Sequence, residues 1–345
     1  MSVAEFRPLA DVAADLTSPF GLEDIAAADV PLVAADLTGA TVGSDALHHA
    51  LASVRAVTVA MIDDAPSLGV AELAERFDIV LAPPGAAGAV VQAADPQAEL
   101  HALADATAAN PQAAVALAEL LRIGAYERVP QGLVLESLTY STLQAGPEFR
   151  SWLDRRGPKQ LPEDTEPVVL VERRGTAMEL TLNRPDRANA FVASMRDGVV
   201  EALRTAAADP SVEGVILRGA GDSFCSGGDL AEFGSAPDPA VGHATRVTRS
   251  PAWWVDHLAA DVRVHLHGHC IGAGIEVPAF AGTVLAASDT RIRLPEVAMG
   301  LVPGAGGTVS IPRRIGRHRT AWLAVTGTEI DAATALQWGL VDRID

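Results

Sequence analysis

A chain of 345 residues, 49% hydrophobic, can bury a large core and has the length for two domains or one elaborated domain. Its net charge of −18 excludes nucleic acid and an anionic membrane surface as partners, since so acidic a body would be repelled by either, and no apolar run reaches the roughly 18 to 20 residues of a membrane helix. The opening MSVAEFRPLADVAADL carries acidic residues where an export signal would be basic, so a cytoplasmic protein is expected, with Cys225 and Cys270 as free thiols in separate glycine-rich segments.

Residues 1–95 form an α/β region: VPLVAADL (30–37), RAVTVAMID (55–63) and FDIVLA (78–83) read as buried strands bounded by Gly, Pro and Asp. From Asp95 to about Arg156 apolar residues recur at i, i+3 and i+4, and Pro111 after Asn110 marks a restart, so 96–160 is a helical segment. RRGPKQLPEDTEP (155–167) mixes Pro, Gly and charge without periodicity and reads as a linker, with a domain boundary near 165. It holds Lys159, the single lysine of the chain. Beyond it come a hairpin (VVLVERR, AMELTLNRP), a helix over about 193–208, the strand VEGVILRG, a glycine-rich turn opening a helix, the strand VRVHLHG, and a second such turn entering a helix at Gly272. That alternation predicts a layered α/β core over 165–345.

The two glycine-rich turns, Phe224–Asp229 (FCSGGD) and Gly268–Glu276 (GHCIGAGIE), would aim backbone N–H groups outward. Converging, they could hold the oxygen of a polarised carbonyl as it gains charge, each donor being worth about 3 kcal/mol. One turn alone would only mark a tight bend, and neither has the spacing of a dinucleotide fingerprint. Glu276 and Glu296 lie in apolar surroundings (AGIEVPAF, RLPEVAMG), where a carboxylate must be partnered or functional. They could divide acid and base roles, or be structural partners of Arg291, Arg293 or Arg313. His265, His267 and His269 alternate as on one strand face, which suggests a metal, but no Cys or Asp nearby completes a ligand set. His269 is placed at the pocket, and Trp253 and Trp254 as packing or pocket wall.

Four blocks in order, NRPDRANAF (183–191), FCSGGDL (224–230), HGHCIGAGIE (267–276) and LPEVAMGLVPGAGGT (294–308), resemble the signatures of the enoyl-CoA hydratase/isomerase (crotonase) superfamily over about 167–345. The resemblance implies a core spiral of ββα turns and a thioester oxygen held by the backbone N–H groups of Gly228 and Ala273. It implies Glu276 and Glu296 as the acid/base pair for syn addition of water to a 2-enoyl-CoA. Coenzyme A would be held by Arg187, Ala188, Ala190, Ser226, Asp229 and Leu230, with Gly272, His269, Pro303 and Gly304 at the pocket. It implies no metal and no cofactor beyond the CoA of the substrate, and a homo-oligomer, a trimer or dimer of trimers. Double-bond isomerisation, another enolate reaction, or an inactive assembly partner are the competing outcomes.

One departure stands out: the core stops where relatives continue into a capping helical tail, while residues 93–159 resemble that tail. An eroded first copy of the core that kept its tail, or a circular permutation, would account for this. Either lets 96–160 cap the site and brings Arg155, Arg156 and Lys159 towards the CoA phosphates.

Overall fold

The computed structural model describes residues 4–40, 44–160, 164–236 and 238–345. The readings that touch 1–3 and 161–163, at the chain start and in the linker, lie outside the described residues.

The first 95 residues build a five-stranded parallel sheet in sequence order: β1 (Arg7–Pro8), β2 (Leu32–Asp36), β3 (Val57–Met61), β4 (Ile79–Ala82) and β5 (Val91–Gln92). Helices α1 (Leu9–Leu16), α2 (Gly21–Ala26), α3 (Asp45–Ser53) and α4 (Leu68–Ala74) connect them. Strand β4 is apolar throughout and β3 is apolar but for the buried Thr58, because both faces are covered. Val57, Val59, Ile79 and Leu81 face one cluster, and Ala60, Val80 and Ala82 the other.

Four helices follow: α5 (Pro96–Ala109), α6 (Pro111–Ile123), α7 (Val129–Gln144) and α8 (Pro147–Arg156). Each carries proline in its first turn, where the missing N–H costs nothing. Asp95 caps α5 through the amides of Gln97 and Ala98. The start of α6 is capped from afar by the Glu148 carboxylate, which accepts from Gln112 N (2.7 Å) and Ala113 N (3.0 Å), locking α8 beside it. Leu100, Leu103, Leu117 and Leu121 are buried as α5 and α6 pack on the sheet at β3, in the cluster that continues into the second half of the chain. At the joint Arg122 pairs with the buried Asp78 at 2.7 Å and donates to the carbonyls of Val54 and Ala56, while Asp78 also accepts from Thr58. With every polar atom matched, this buried pair fixes the angle of α6 to the sheet.

The core begins with the antiparallel hairpin β6 (Val169–Arg174) and β7 (Ala177–Leu182), then α9 (Ala193–Ala208), β8 (Gly214–Gly219), α10 (Pro239–Thr248), α11 (Pro251–His257) and β9 (Val262–Leu266). After these come β10 (His269–Ile271), α12 (Ala273–Glu276), β11 (Thr283–Ala286), β12 (Arg291–Arg293), α13 (Gly307–Ile315), α14 (Arg317–Thr326), β13 (Ile330–Asp331), α15 (Ala332–Trp338) and β14 (Arg343–Ile344). Six strands form one sheet in the order β14-β11-β9-β8-β7-β6, parallel apart from the hairpin. A smaller sheet, β10-β12-β13, carries the second glycine turn.

Two local expectations are corrected. The first glycine turn opens no helix: residues 230–234 are turns, and α10 starts only at Pro239. The run VRVHLHG does not continue as one strand. Gly268, at φ +52°, turns the chain from β9 into β10 of the other sheet, so the three histidines share no face. His267 instead meets the Gly221 carbonyl at 3.0 Å, and no cluster of metal-ligating side chains occurs among the described residues.

Candidate active site

The two glycine turns are stitched together by backbone bonds: Cys225 N donates to His269 O (3.0 Å) and Ile271 N to Cys225 O (2.9 Å). This sets Cys225 opposite Cys270, both buried free thiols, with the Cys225 thiol pushed up to about 12 by burial. The approach leaves no room for a side chain at Gly274, whose added Cβ would lie 2.3 Å from the Cys225 carbonyl oxygen. The first turn is held from its other side by NRPDRANAF, since Ser226 N donates to Ala188 O, Phe191 N to Gly227 O and Asp229 N to Phe191 O. Ala188 and Asn189 adopt φ +48° and +52°, and the fully buried Asn189 stabilises that bend by accepting from Arg184 N and donating to the carbonyls of Ala220 and Ser223.

Within this lattice the amides of Gly228 and Ala273 donate to no acceptor among the described residues, and both residues line a cavity of about 250 Å³. Glu276 and Glu296 line it too. A Cβ added at Gly272 would sit 2.4 Å from Glu296 Oε1 and 3.6 Å from Glu276 Oε1, so the carboxyls are no farther apart than the sum of those distances. Only glycine fits between them.

Neither glutamate is neutralised by arginine. Arg293 donates to the Gly327 carbonyl and Arg313 pairs with Asp256. Glu276 Oε2 accepts from Ala305 N (2.7 Å) and Gly307 N (2.9 Å), while Glu296 Oε2 is buried with no partner. Burial raises both carboxyls well above the ordinary carboxylate range: the two backbone donors oppose the rise at Glu276, whereas at Glu296 repulsion from Glu276 adds to it. Two carboxyls this close, one held by backbone donors and the other without them, have the environments that set acid and base roles apart.

A third carboxyl, on α7, was not identified from sequence. Glu136 is 2% exposed, lines the cavity and accepts from Gly306 N (2.7 Å), Thr308 N (2.9 Å) and Thr308 Oγ1 (2.7 Å). Successive amides of 305–308 therefore point alternately to Glu276 and Glu136. Burial first, then repulsion from Glu276, raises its pKa as well. Tyr140, one turn along α7, lies over Gly304, where a Cβ would fall 2.4 Å from its ring.

Of the other residues singled out from sequence, Asp229 and Gly304 line the cavity, and Asp229 pairs with Arg184 at 3.0 Å. Gly272 abuts both glutamates without entering the wall. Arg187, Ala188, Ala190, Ser226, Leu230, His269 and Pro303 lie off the wall, His269 being exposed. Trp253 and Trp254 stack edge to face beside a separate groove shared with Leu133 and Val247. Lys159 is exposed and follows Pro158, which borders a groove with Phe233 and Gly234. Arg156 reaches the carbonyls of Leu230 and Phe233, bringing the end of α8 against the chain that leaves the first glycine turn.

Residues 172–345 match the family model for enoyl-CoA hydratase/isomerase. The chain belongs to this family. Among curated members, the 2,3-dehydroadipyl-CoA hydratase of Escherichia coli is 32% identical over 178 residues, 51% of this chain and 68% of that protein. The 1,2-epoxyphenylacetyl-CoA isomerase of the same organism is also 32% identical, over 48% of this chain and 65% of its own length. The chain thus spans about two thirds of these relatives, and a hydratase and an isomerase resemble it equally. The enoyl-CoA hydratase of Thermoplasma volcanium superposes with a TM-score of 0.49 at 31% identity, over 52% of this chain and 72% of that one.

Proposed function

We propose that this protein is an enoyl-CoA hydratase that adds water across the 2,3 double bond of an acyl-CoA thioester. The observation that carries the reading is the juxtaposition of two buried, arginine-free glutamates with two uncommitted backbone donors on one cavity wall. One glutamate, ionised, takes a proton from water as its oxygen bonds to C3. The electron pair moves through C2 to the thioester oxygen, which the amides of Gly228 and Ala273 receive as an oxyanion. The second glutamate, protonated, delivers its proton to C2, and the double bond is consumed. Arg187, Ala188, Ala190, Ser226 and Leu230 are assigned to the CoA moiety, with Lys159 at its phosphates. No cofactor beyond that CoA enters the scheme. A cytoplasmic homo-oligomer, trimer or dimer of trimers, completes the reading. The first 95 residues are read as an eroded copy of the core, supported by a parallel sheet that, like the main one, runs in sequence order.

The test is hydration of crotonyl-CoA, followed by loss of the conjugated thioester absorbance, with Glu276→Gln and Glu296→Gln alongside. Turnover that falls by orders of magnitude in both variants supports the two-glutamate hydratase. Binding of CoA esters without hydration would replace it with an isomerisation or another enolate reaction, and no binding would make the protein an inactive relative.

A further inference from the structure

The charged side chains on the cavity wall are unevenly matched. Asp229 has Arg184, Glu232 accepts from Ala193 N with both oxygens, and Glu276 and Glu136 take the amides of 305–308. Arg196 and Arg249 share Asp197 at 2.9 and 3.5 Å. Glu296, assigned to the chemistry, is left with an unpartnered oxygen, and among the cations of the wall Arg246, on α10, is the exception: no carboxylate lies within 4 Å of it among the described residues.

Its guanidinium is held instead by neutral groups of α7. Nε donates to Ser137 Oγ at 3.1 Å, Nη2 to Ser141 Oγ and, at 3.4 Å, to the Ser137 carbonyl. Its plane lies over the Tyr140 ring at 4.5 Å. Nη1 has two hydrogens and one bond, a long one of 3.4 Å to Gln144 Oε1. Arg246 and Gln144 both line the cavity. The fork is thus pinned in orientation, its charge uncompensated by an ion pair and one nitrogen scarcely used. Glu136, the carboxyl whose field reaches it, has its oxygens committed to Gly306 and Thr308. A planar cation so preset is matched by a planar anion that can take Nη1 and displace the long Gln144 contact.

We propose that Arg246 receives a carboxylate at the distal end of the acyl group, making this cavity selective for CoA thioesters of dicarboxylic acids. The proposal rests on the reading of the cavity as an acyl-CoA site and names the class of acyl group it takes. A hydroxyl or amide end would accept a hydrogen bond from the cation without opposing its charge, whereas a carboxylate does both and can take two parallel N–H groups. Charge-assisted bonds of this kind contribute about 1.5–3 kcal/mol, or roughly 10- to 150-fold in affinity.

The test separates binding from reaction. Calorimetry on the full chain compares succinyl-, glutaryl- and adipyl-CoA with butyryl-, valeryl- and hexanoyl-CoA, none of which carries a double bond to hydrate. The expected result is at least tenfold tighter binding of one or more carboxylated members over the length-matched neutral one. That ratio should fall to near one in Arg246→Met and be partly restored in Arg246→Lys. Equal affinities in the unsubstituted protein, or a ratio that survives Arg246→Met, would overturn the proposal and leave Arg246 as a clamp between α7 and α10. Failure of crotonyl-CoA hydration alongside a preserved ratio would count against the hydratase reading alone. Should Arg246→Met not fold, Gln144→Glu, which sets a carboxylate against Nη1, should abolish the ratio by filling the same place.

Discussion

Replacing Glu136 by glutamine removes one oxygen and adds two N–H groups without changing shape. Three donors converge on this carboxyl in a place 2% exposed, Gly306 N on Oε1 and the amide and hydroxyl of Thr308 on Oε2. Glutamine can keep the oxygen towards Thr308, leaving Gly306 N facing an NH2 group, or the reverse at a higher cost. A buried donor without an acceptor costs about 1–3 kcal/mol, and the opposed N–H groups must also part, so a loss of roughly 2–4 kcal/mol in folding stability is expected. The movement has only one place to go. Residues 305 and 307 donate to Glu276, so the loop that shifts away from position 136 drags the donors of the neighbouring glutamate. Those donors hold the Glu276 pKa down against burial, so their displacement should move the acid limb of the kcat profile to higher pH, a shift that the loss of the Glu136 repulsion partly offsets. Urea denaturation monitored by far-UV circular dichroism reads the stability, and kcat against pH reads the second effect. An unchanged midpoint together with an unshifted acid limb would refute the idea that α7 holds this loop.

Further expectations concern single positions and pH. Gly272→Ala, at φ +51° and ψ −121°, should cost about 1–3 kcal/mol in backbone strain and, by moving Glu296 Oε1, lower kcat by roughly a hundredfold; a fully active, well-folded variant would contradict the geometry. Asn189→Ala removes three buried bonds at a left-handed bend and should lower stability by about 2–4 kcal/mol, read as a fall in Tm. Glu276, Glu296 and Glu136 have raised pKa values in the folded state, so the unfolded chain ionises first, near 4.5, and their stabilising share is lost as pH rises from there past neutrality. The slope of stability against pH between about 5 and 8.5 should therefore be more favourable in Glu296→Gln than in the parent. Equal slopes would mean that Glu296 titrates normally.

The fold class and the paired glutamates were legible because they reside in short contiguous blocks: a glycine where two carboxyls meet, and a Glu within AGIEVPAF whose burial follows from its neighbours. What α7 contributes was hidden by its own pattern. GLVLESLTYSTLQ has no clean apolar face from which to tell inward from outward residues, and it buries Glu136, Ser137 and Ser141 while leaving Leu138 46% exposed. The signal lay in the i, i+4, i+8 series Glu136, Tyr140, Gln144, which makes one polar stripe on a helix whose apolar residues face the wrong way for a solvated polar side. The partners of that stripe lie more than 100 residues away, beyond the reach of any local window. The histidine series failed for the opposite reason. Its period was right for a strand, and a single glycine with φ +52° ended the strand before His269.

Glu136 belongs to a segment that leaves the ribosome before any part of the core, and its partners, Gly306 and Thr308, come about 170 residues later. During synthesis the Glu136 carboxyl stays hydrated until the loop that supplies its donors has been made, and that loop belongs to the last of the chemistry-bearing blocks. Assembly of the cavity is therefore tied to the final fifth of translation, so a ribosome stalled between residues 276 and 304 holds a chain with both glycine-rich turns made and no finished site.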